Sequence, residues 1–492
     1  MNICGLSLRV VPLFTLFVAV TCTTPTVRAE EGANDARVVY GYGAIIDAGS
    51  SGSRIYLYKW PARNFHSLPP PLSEVARATN EKNPNVTPGI SSPDGLAKLP
   101  GLVEAAKALV PKGVDLKTVP LYLGATAGMR ILHPDAESQI MADVRKALHA
   151  SGFLFKDSWA RVLSGEEEGA FGWLSANYLL NKGMPDATAS TLGALDLGGA
   201  STQITFRPTG SILANFFPLE IASPNYNYDL YTHSFLYYGA KESRLNFDQN
   251  VLASTSVNPC YPTGYTSDDT NMTGSSKWVE CLEKVKGLFQ KSSQSDLCYN
   301  SDREPTRCSF NGVYQPAFGD KKFIGMSAYV YAWQYLGLET GERTSDLDKL
   351  NANGATVCAR DYQKQKETAP PGTYLPALPY QCFIAAYSYQ LLSYGYGMPT
   401  KDTPVQMYDK IDGSSVEWSF GMMLTEANKL NWNYVAPNTF MYLFAFICPI
   451  FVLLSCGLAY LLYKARKRAS SAFQQFDDDS NYKPPRAFGE EA

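Results

Sequence analysis

One pattern, occurring twice, constrains this chain more than anything else in it. Gly43-Ala44-Ile45-Ile46-Asp47 leads into Ala48-Gly49-Ser50-Ser51-Gly52-Ser53, and Gly193-Ala194-Leu195-Asp196 leads into Leu197-Gly198-Gly199-Ala200-Ser201-Thr202. Alternating runs follow each: Arg54-Ile55-Tyr56-Leu57 and Gln203-Ile204-Thr205-Phe206. Each copy reads as a buried strand ending in an aspartate, a turn of small residues and a second strand. With the aspartates in register, the repeat predicts a duplicated α/β fold, one copy per half. Glycine lets the backbone approach an anion closely and turn its N–H groups inward, which makes a phosphate cradle. The aspartate at the strand end can hold a divalent cation, usually through its waters. Two such cradles fit the two sides of a polyphosphate. No G-x-x-x-x-G-K-[ST] stretch occurs and neither cradle contains lysine, so backbone amides, hydroxyls and a metal must balance the phosphate charge.

At 492 residues the chain can bury more than one core, and a formal charge of −3 argues against nucleic-acid binding. Residues 1–29 read as a secretory signal peptide, with Arg9, an apolar run from Val10 to Val20 and a cleavage site at Val27-Arg28-Ala29. Phe440 to Tyr463 carries no charge and is followed by Lys464-Ala465-Arg466-Lys467-Arg468. That is the pattern of a transmembrane helix (440–463) with a cytoplasmic tail (464–492), so the bulk of the chain is expected to be extracellular or lumenal, in a single-pass type I arrangement. The tail is expected to be disordered, and packing of membrane helices could support a homo-oligomer. Cys260, Cys281, Cys298, Cys308, Cys358 and Cys382 all fall in the second half of the ectodomain. In an oxidising compartment six cysteines suggest three disulfides; 15 connectivities are open, and the simplest pairs neighbours. A loop the size of Cys260–Cys281 would contribute about 3 kcal/mol. Zinc is disfavoured, because no C-x-x-C spacing occurs and the histidines are only His66, His133, His149 and His233. Asn85 and Asn271 begin glycosylation sequons.

Between the two hairpins, helices are expected over 101–109, 137–149 and 170–180, and strands over 119–123 and 159–163. Residues 225–320 read as a loop-rich, disulfide-bearing insertion, and 323–338 as a further helix. Glu166-Glu167-Glu168 sits at a strand-to-helix junction. Such a run commonly serves the helix dipole, but with Gly165 before it and Gly169 after it only some of the three can face solvent. One of them could be the base that a phosphoanhydride hydrolysis needs. Thr126, Ser201 and Gln203 are short polar groups on the turns, suited to holding a water.

These motifs resemble the ecto-nucleoside triphosphate diphosphohydrolases, or apyrases. The resemblance runs from about Val38 to Asn433. It rests on 47–54, on Leu123-Gly124-Ala125-Thr126-Ala127-Gly128-Met129-Arg130, on 164–173, on 196–203, on Ser327-Ala328-Tyr329 and on Trp418-Ser419-Phe420-Gly421. It implies two RNase H-like lobes of the actin, Hsp70 and sugar-kinase type, with the active site in the cleft between them. Lobe I would be 36–163 plus 411–435, and lobe II 164–410. The resemblance implies Glu168 as general base and Thr126, Ser201 and Gln203 as water-placing groups. Asp47 and Asp196 match the carboxylates that hold hydrated Ca²⁺ or Mg²⁺, and Gly49, Ser50, Ser51, Gly52, Gly198, Gly199 and Ala200 match the phosphate loops. Tyr331 matches an aromatic that stacks on the base. Nucleoside di- and triphosphates would be the substrates; the rivals are another phosphohydrolase of the same fold, such as an exopolyphosphatase, and a non-catalytic nucleotide-binding ectodomain. Many cell-surface members carry histidine where this chain has Gly52, and cysteine where it has Tyr237. With that cysteine gone, the family's pairing becomes Cys260–Cys281, Cys298–Cys308 and Cys358–Cys382.

Overall fold

The computed structural model describes residues 40–61, 71–78, 88–185, 190–221, 226–291, 308–341, 344–430 and 438–478. The expected signal peptide, Asn85 and Cys298 lie outside the described residues.

The fold is mixed α/β in two lobes, each built on one sheet. The first sheet joins β1 (Tyr40–Ala48), β2 (Ser53–Pro61), β3 (Ser73–Ala78), β4 (Leu121–Ala125) and β5 (Ala160–Val162) in the order β3-β2-β1-β4-β5. The first three strands run antiparallel; β4 lies parallel to β1, and β5 to β4. After a one-turn helix at Pro93–Ala97, its strands are followed by α1 (Leu99–Leu109), the short α2 (Ala127–Arg130) and α3 (Pro134–His149). α1 and α3 each bury a stripe at helical spacing, Leu102, Val103 and Ala106 on one and Met141, Val144 and Leu148 on the other. Both stripes join Ile46, Leu121 and Leu123 in one core.

The second sheet contains β6 (Gly193–Leu197), β7 (Ser201–Phe206), β8 (Phe216–Glu220), β9 (Asn227–Leu236), β10 (Phe323–Ser327), β11 (Thr344–Ser345) and β12 (Thr403–Met407). Its order is β11-β12-β10-β6-β7-β9-β8. From β9 through β7, β6 and β10 to β12, the sheet repeats the first: three antiparallel strands, then two parallel ones. The hairpins repeat too. Asp47 pairs with Arg54 across the first, and Asp196 with Gln203 across the second.

Besides a short α-helix at Tyr362–Thr368, those that follow are α4 (Gly165–Asn181), α5 (Ala240–Asn246), α6 (Trp278–Lys286), α7 (Ala328–Tyr335), α8 (Leu347–Val357), α9 (Gln381–Gln390), α10 (Trp418–Lys429) and α11 (Asn438–Asp478). α4 is buried nearly all round, from Glu168 to Leu179. It packs on α10 at one side and on β6, β7 and β9 at the other. Glycines set both approaches. A Cβ on Gly421 would come 2.1 Å from the Phe171 carbonyl oxygen, and one on Gly169 would come 2.5 Å from Thr205 Oγ1. The structure bonds Cys260 to Cys281 and Cys358 to Cys382, tying α6 and α9 to neighbouring segments; Cys308 is also disulfide-bonded. Asn271 is exposed at φ 55° in the loop ahead of α6.

Three expectations are corrected. Residues 323–338 are not one helix: Phe323–Ser327 is a buried strand, hydrogen-bonded to β6 and β12, and only then does α7 begin. A short apolar run that is buried on both faces has no periodicity to separate strand from helix. Residues 225–320 are not wholly an insertion, because β9 lies inside the sheet between β7 and β8. The tail is helical as far as Asp478, continuing α11 through the basic cluster, where Lys, Ala, Arg and Gln are strong helix formers. Within α11, Pro449–Ser470 is long and apolar enough to cross a membrane, with mean hydropathy 1.3 and no burial.

Candidate active site

Each hairpin turn is held by its neighbours through the backbone. The second loop gives its carbonyl oxygens away: Gly198 accepts from Ala240 N–H (2.8 Å), Gly199 from Lys241 (2.9 Å) and Glu242 (3.1 Å), and Ala200 from Tyr237 (2.8 Å). The first loop is wedged between two glycines. A Cβ on Gly89 would sit 2.2 Å from the Gly49 carbonyl oxygen, and one on Gly128 would sit 2.7 Å from Ser50 Cα. The loops also meet each other, since a Cβ on Gly199 would lie 2.5 Å from Ser50 Oγ. Among the described residues no backbone acceptor takes the N–H of Ser50, Ser51, Gly199 or Ala200. Gly49, Gly52 and Gly198 complete the two turns, with Gly52 buried. The result is a pair of facing donor sets, the arrangement a phosphate chain requires.

The triple glutamate resolves into three fates. Ser164 caps α4 through the Glu167 N–H, and Glu167 closes the capping box while accepting from Arg161 Nη1 at 2.8 Å. Glu166 is half-buried. The rotation that the cap imposes turns Glu168 inward, where it is 6% exposed. Its Oε2 accepts from Arg130 Nη2 at 2.8 Å and from Gln203 Nε2 at 3.2 Å. Burial raises its pKa; Arg130 holds it back. Arg130 also donates to Ser201 Oγ (3.0 Å) and, through Nη1, to the Leu163 carbonyl (3.0 Å). Gln203 Nε2 reaches Ser201 Oγ and Ser234 Oγ as well, both at 2.8 Å. An amide nitrogen has two protons for these three acceptors, so one contact is shared.

Asp47 and Asp196 stand next to last in β1 and β6, 4% and 8% exposed. Asp47 Oδ2 accepts from Arg54 Nη1 at 3.1 Å. Burial, opposed by Arg54, pushes Asp47 up to about 7, and burial together with the charge of Glu168 does the same to Asp196. Asp47 Oδ1, Asp196 Oδ1 and Gln203 Oε1 are buried acceptors with no partner among the described residues. Three unpaired acceptors, two of them on costly buried carboxylates, suit a cation and its water. No group of three His, Cys, Asp or Glu forms among the described residues, so a cation here would lean on water and substrate for most of its shell.

Thr126 follows β4 and caps α2 through its carbonyl, which accepts from Met129 N–H at 2.9 Å; its hydroxyl makes no capping bond. It is 4% exposed. Tyr331, on α7, is 53% exposed, an unusual value for a large aromatic in this part of the fold. Two partners of the site escaped sequence reasoning. Arg130 stands in the small-residue turn 123–130, where a single charge among apolar residues was the available signal. Ser234 carries no local signal; it reaches Gln203 only because β9 pairs with β7. Ser327 has φ 62° and ψ −127°, strained for a residue with a Cβ by about 1–3 kcal/mol.

The sequence matches the model of the GDA1/CD39 (nucleoside phosphatase) family over residues 36–440. The chain belongs to the GDA1/CD39 family. Among curated members it is 34% identical to human ectonucleoside triphosphate diphosphohydrolase 2, over 79% of this chain and 82% of that one. It is 30% identical to mouse ectonucleoside triphosphate diphosphohydrolase 3, over 89% of each. Among solved structures, a nucleoside triphosphate hydrolase from Neospora caninum superposes with TM-score 0.56, covering 80% of this chain and 95% of that one at 14% identity. That likeness places this GDA1/CD39 chain in the same two-lobed fold.

Proposed function

We propose that the protein hydrolyses nucleoside tri- and diphosphates to the monophosphate and phosphate, with Glu168 as the general base. The observation that carries this is the convergence of Glu168, Arg130, Ser201 and Gln203 on one point beside two buried carboxylates with unpaired oxygens. The facing loops, 49–52 and 198–200, bind the phosphates through backbone N–H groups. Asp47 and Asp196 would hold Ca²⁺ or Mg²⁺ through water; when bound, the cation supplies charge neutralisation at the phosphate oxygens. Thr126, Ser201 and Gln203 orient the water, with Gln203 Oε1 free to accept one of its protons. Glu168 takes the other as the water attacks the terminal phosphorus in line. A second round on the diphosphate gives the monophosphate. Tyr331 offers an exposed ring on which the base stacks.

The repeated strand order supports lobes of the RNase H-like, actin type. Lobe I would be 36–163 plus 411–435, and lobe II 164–410, with the site in the cleft. α11 would anchor the protein in a single-pass type I arrangement, the catalytic part extracellular or lumenal. The test is phosphate release by the full-length protein from ATP, ADP, UDP and GDP, in Ca²⁺, Mg²⁺ or EDTA, beside Glu168→Gln. Metal-dependent release that falls by about 10²–10⁴ in the variant is expected. Undiminished release in the variant moves the base elsewhere, and no release from any nucleotide by folded protein leaves a binding module.

A further inference from the structure

β7 and β9 lie antiparallel, with Gln203 directly opposite Ser234 and Thr205 directly opposite Thr232. Residues that face each other across such a pair project to the same side of the sheet, and here that side carries α4. A Cβ on Gly165 would come 2.2 Å from Ser234 Cβ, and one on Gly169 would come 2.5 Å from Thr205 Oγ1 and 2.6 Å from Thr232 Oγ1. The two glycines, one turn apart on α4, therefore seat the helix that carries Glu168 on two polar rungs. The rungs differ. The hydroxyls of Thr205 and Thr232 share a hydrogen bond at 2.6 Å, which closes that rung on itself. The other rung is open: Gln203 Nε2 donates to Ser234 Oγ and to Ser201 Oγ, both at 2.8 Å, and reaches Glu168 Oε2 only at 3.2 Å. A primary amide has two N–H protons, so the two short bonds fix the nitrogen between the two hydroxyls. The amide is planar, and a fixed nitrogen fixes its oxygen.

We propose that Ser234 is a positioning residue for hydrolysis: its hydroxyl anchors the Gln203 amide, so that the amide oxygen meets the attacking water in one orientation and the nitrogen does not settle on Glu168. This rests on the reading of Gln203 as a water-placing group. Without the Ser234 hydroxyl, the nitrogen keeps two acceptors, Ser201 and Glu168, and its second proton turns to the carboxylate. The base then carries a stronger bond to the amide, and the water loses its alignment. Both effects slow the chemical step, and neither involves the N–H groups of the phosphate loops, so substrate binding is spared.

The test measures kcat and KM for ATP, with Ca²⁺ or Mg²⁺ in excess, and Tm, in full-length wild type, Ser234→Ala, Gln203→Ala, the double variant and Thr232→Ala. Ser234→Ala is expected to lower kcat by about tenfold with KM within about twofold of wild type. Gln203→Ala should lower kcat further still. Adding Ser234→Ala to it should cost no more than about twofold beyond that, since a residue that acts through Gln203 then has nothing to act on. Thr232→Ala breaks the closed rung; it should lower Tm at least as far as Ser234→Ala does, while kcat stays within about threefold of wild type. Four results each overturn the proposal: unchanged kcat in Ser234→Ala, a loss carried by KM, an undiminished loss in the Gln203→Ala background, or an equal loss of kcat in Thr232→Ala. If Gln203→Ala itself keeps wild-type kcat, the underlying reading of Gln203 has failed and the proposal with it. If Gln203→Ala loses kcat and Ser234→Ala does not, only the role of Ser234 falls.

Discussion

Arg130 touches three groups from two stretches of chain, Leu163 and Glu168 at the β5–α4 junction and Ser201 at the start of β7, and all three contacts are hydrogen bonds of 2.8–3.0 Å. Its charge keeps a buried glutamate ionisable. Removing it leaves Glu168 desolvated and without its positive partner, with only the Gln203 amide donating to it, which raises its pKa further. Since a general base works only when deprotonated, Arg130→Met is expected to shift the acid limb of the pH–rate profile upward, as well as lowering kcat. A profile in which the limb stays put would mean that Arg130 acts on substrate alone. The part of the site that lies in turns was legible, because aspartate among small residues stands out against any apolar strand. Which of three consecutive glutamates turns inward was not legible from local composition. That depends on helix rotation, set here by the Ser164–Glu167 capping box, and resemblance alone singled out Glu168.

α4 carries Glu168 on its first turn and is pressed between α10 and the second sheet, so its placement decides where the proposed base sits. The helix pair meets through backbone, with Gly421 against the Phe171 carbonyl. Gly421→Ala forces the pair apart and is expected to destabilise by about 1–3 kcal/mol, read by chemical denaturation. Activity should fall more steeply than stability, because Glu168 moves with the helix. Equal losses would make α4 a packing element only. Helices with one apolar stripe, such as α1 and α3, were visible at the right places from their spacing. β10 was not, since Phe323, Ile324 and Met326 are buried on both faces, and such a run takes its identity from its neighbours in the sheet.

The duplication makes a prediction about the whole molecule. Asp47 and Asp196 are pushed up to about 7 in the folded protein, from ordinary values near 3.8. The folded state thus keeps protons that the unfolded chain releases between about pH 4 and 7, so metal-free stability falls as pH rises through that window. In EDTA the Tm is expected to drop from pH 5 to pH 8. Added Ca²⁺ should flatten the drop, and Asp47→Asn/Asp196→Asn should show a smaller one, since Glu168 is also raised by burial. An equal drop in the double variant would assign it to other groups. The two halves are nonetheless not mirror images. Where the first hairpin sets Arg54 across from its aspartate, the second sets Gln203: a fixed positive charge in one copy, a neutral amide in the other. A cleft with such unlike walls has polarity. If the proposed phosphate site is right, a phosphate chain laid across it reads differently from its two ends, and only one way round would bring the terminal phosphorus to the amide wall, where Glu168 stands. Two like hairpins face each other, and one unmatched pair of residues gives that pairing a direction.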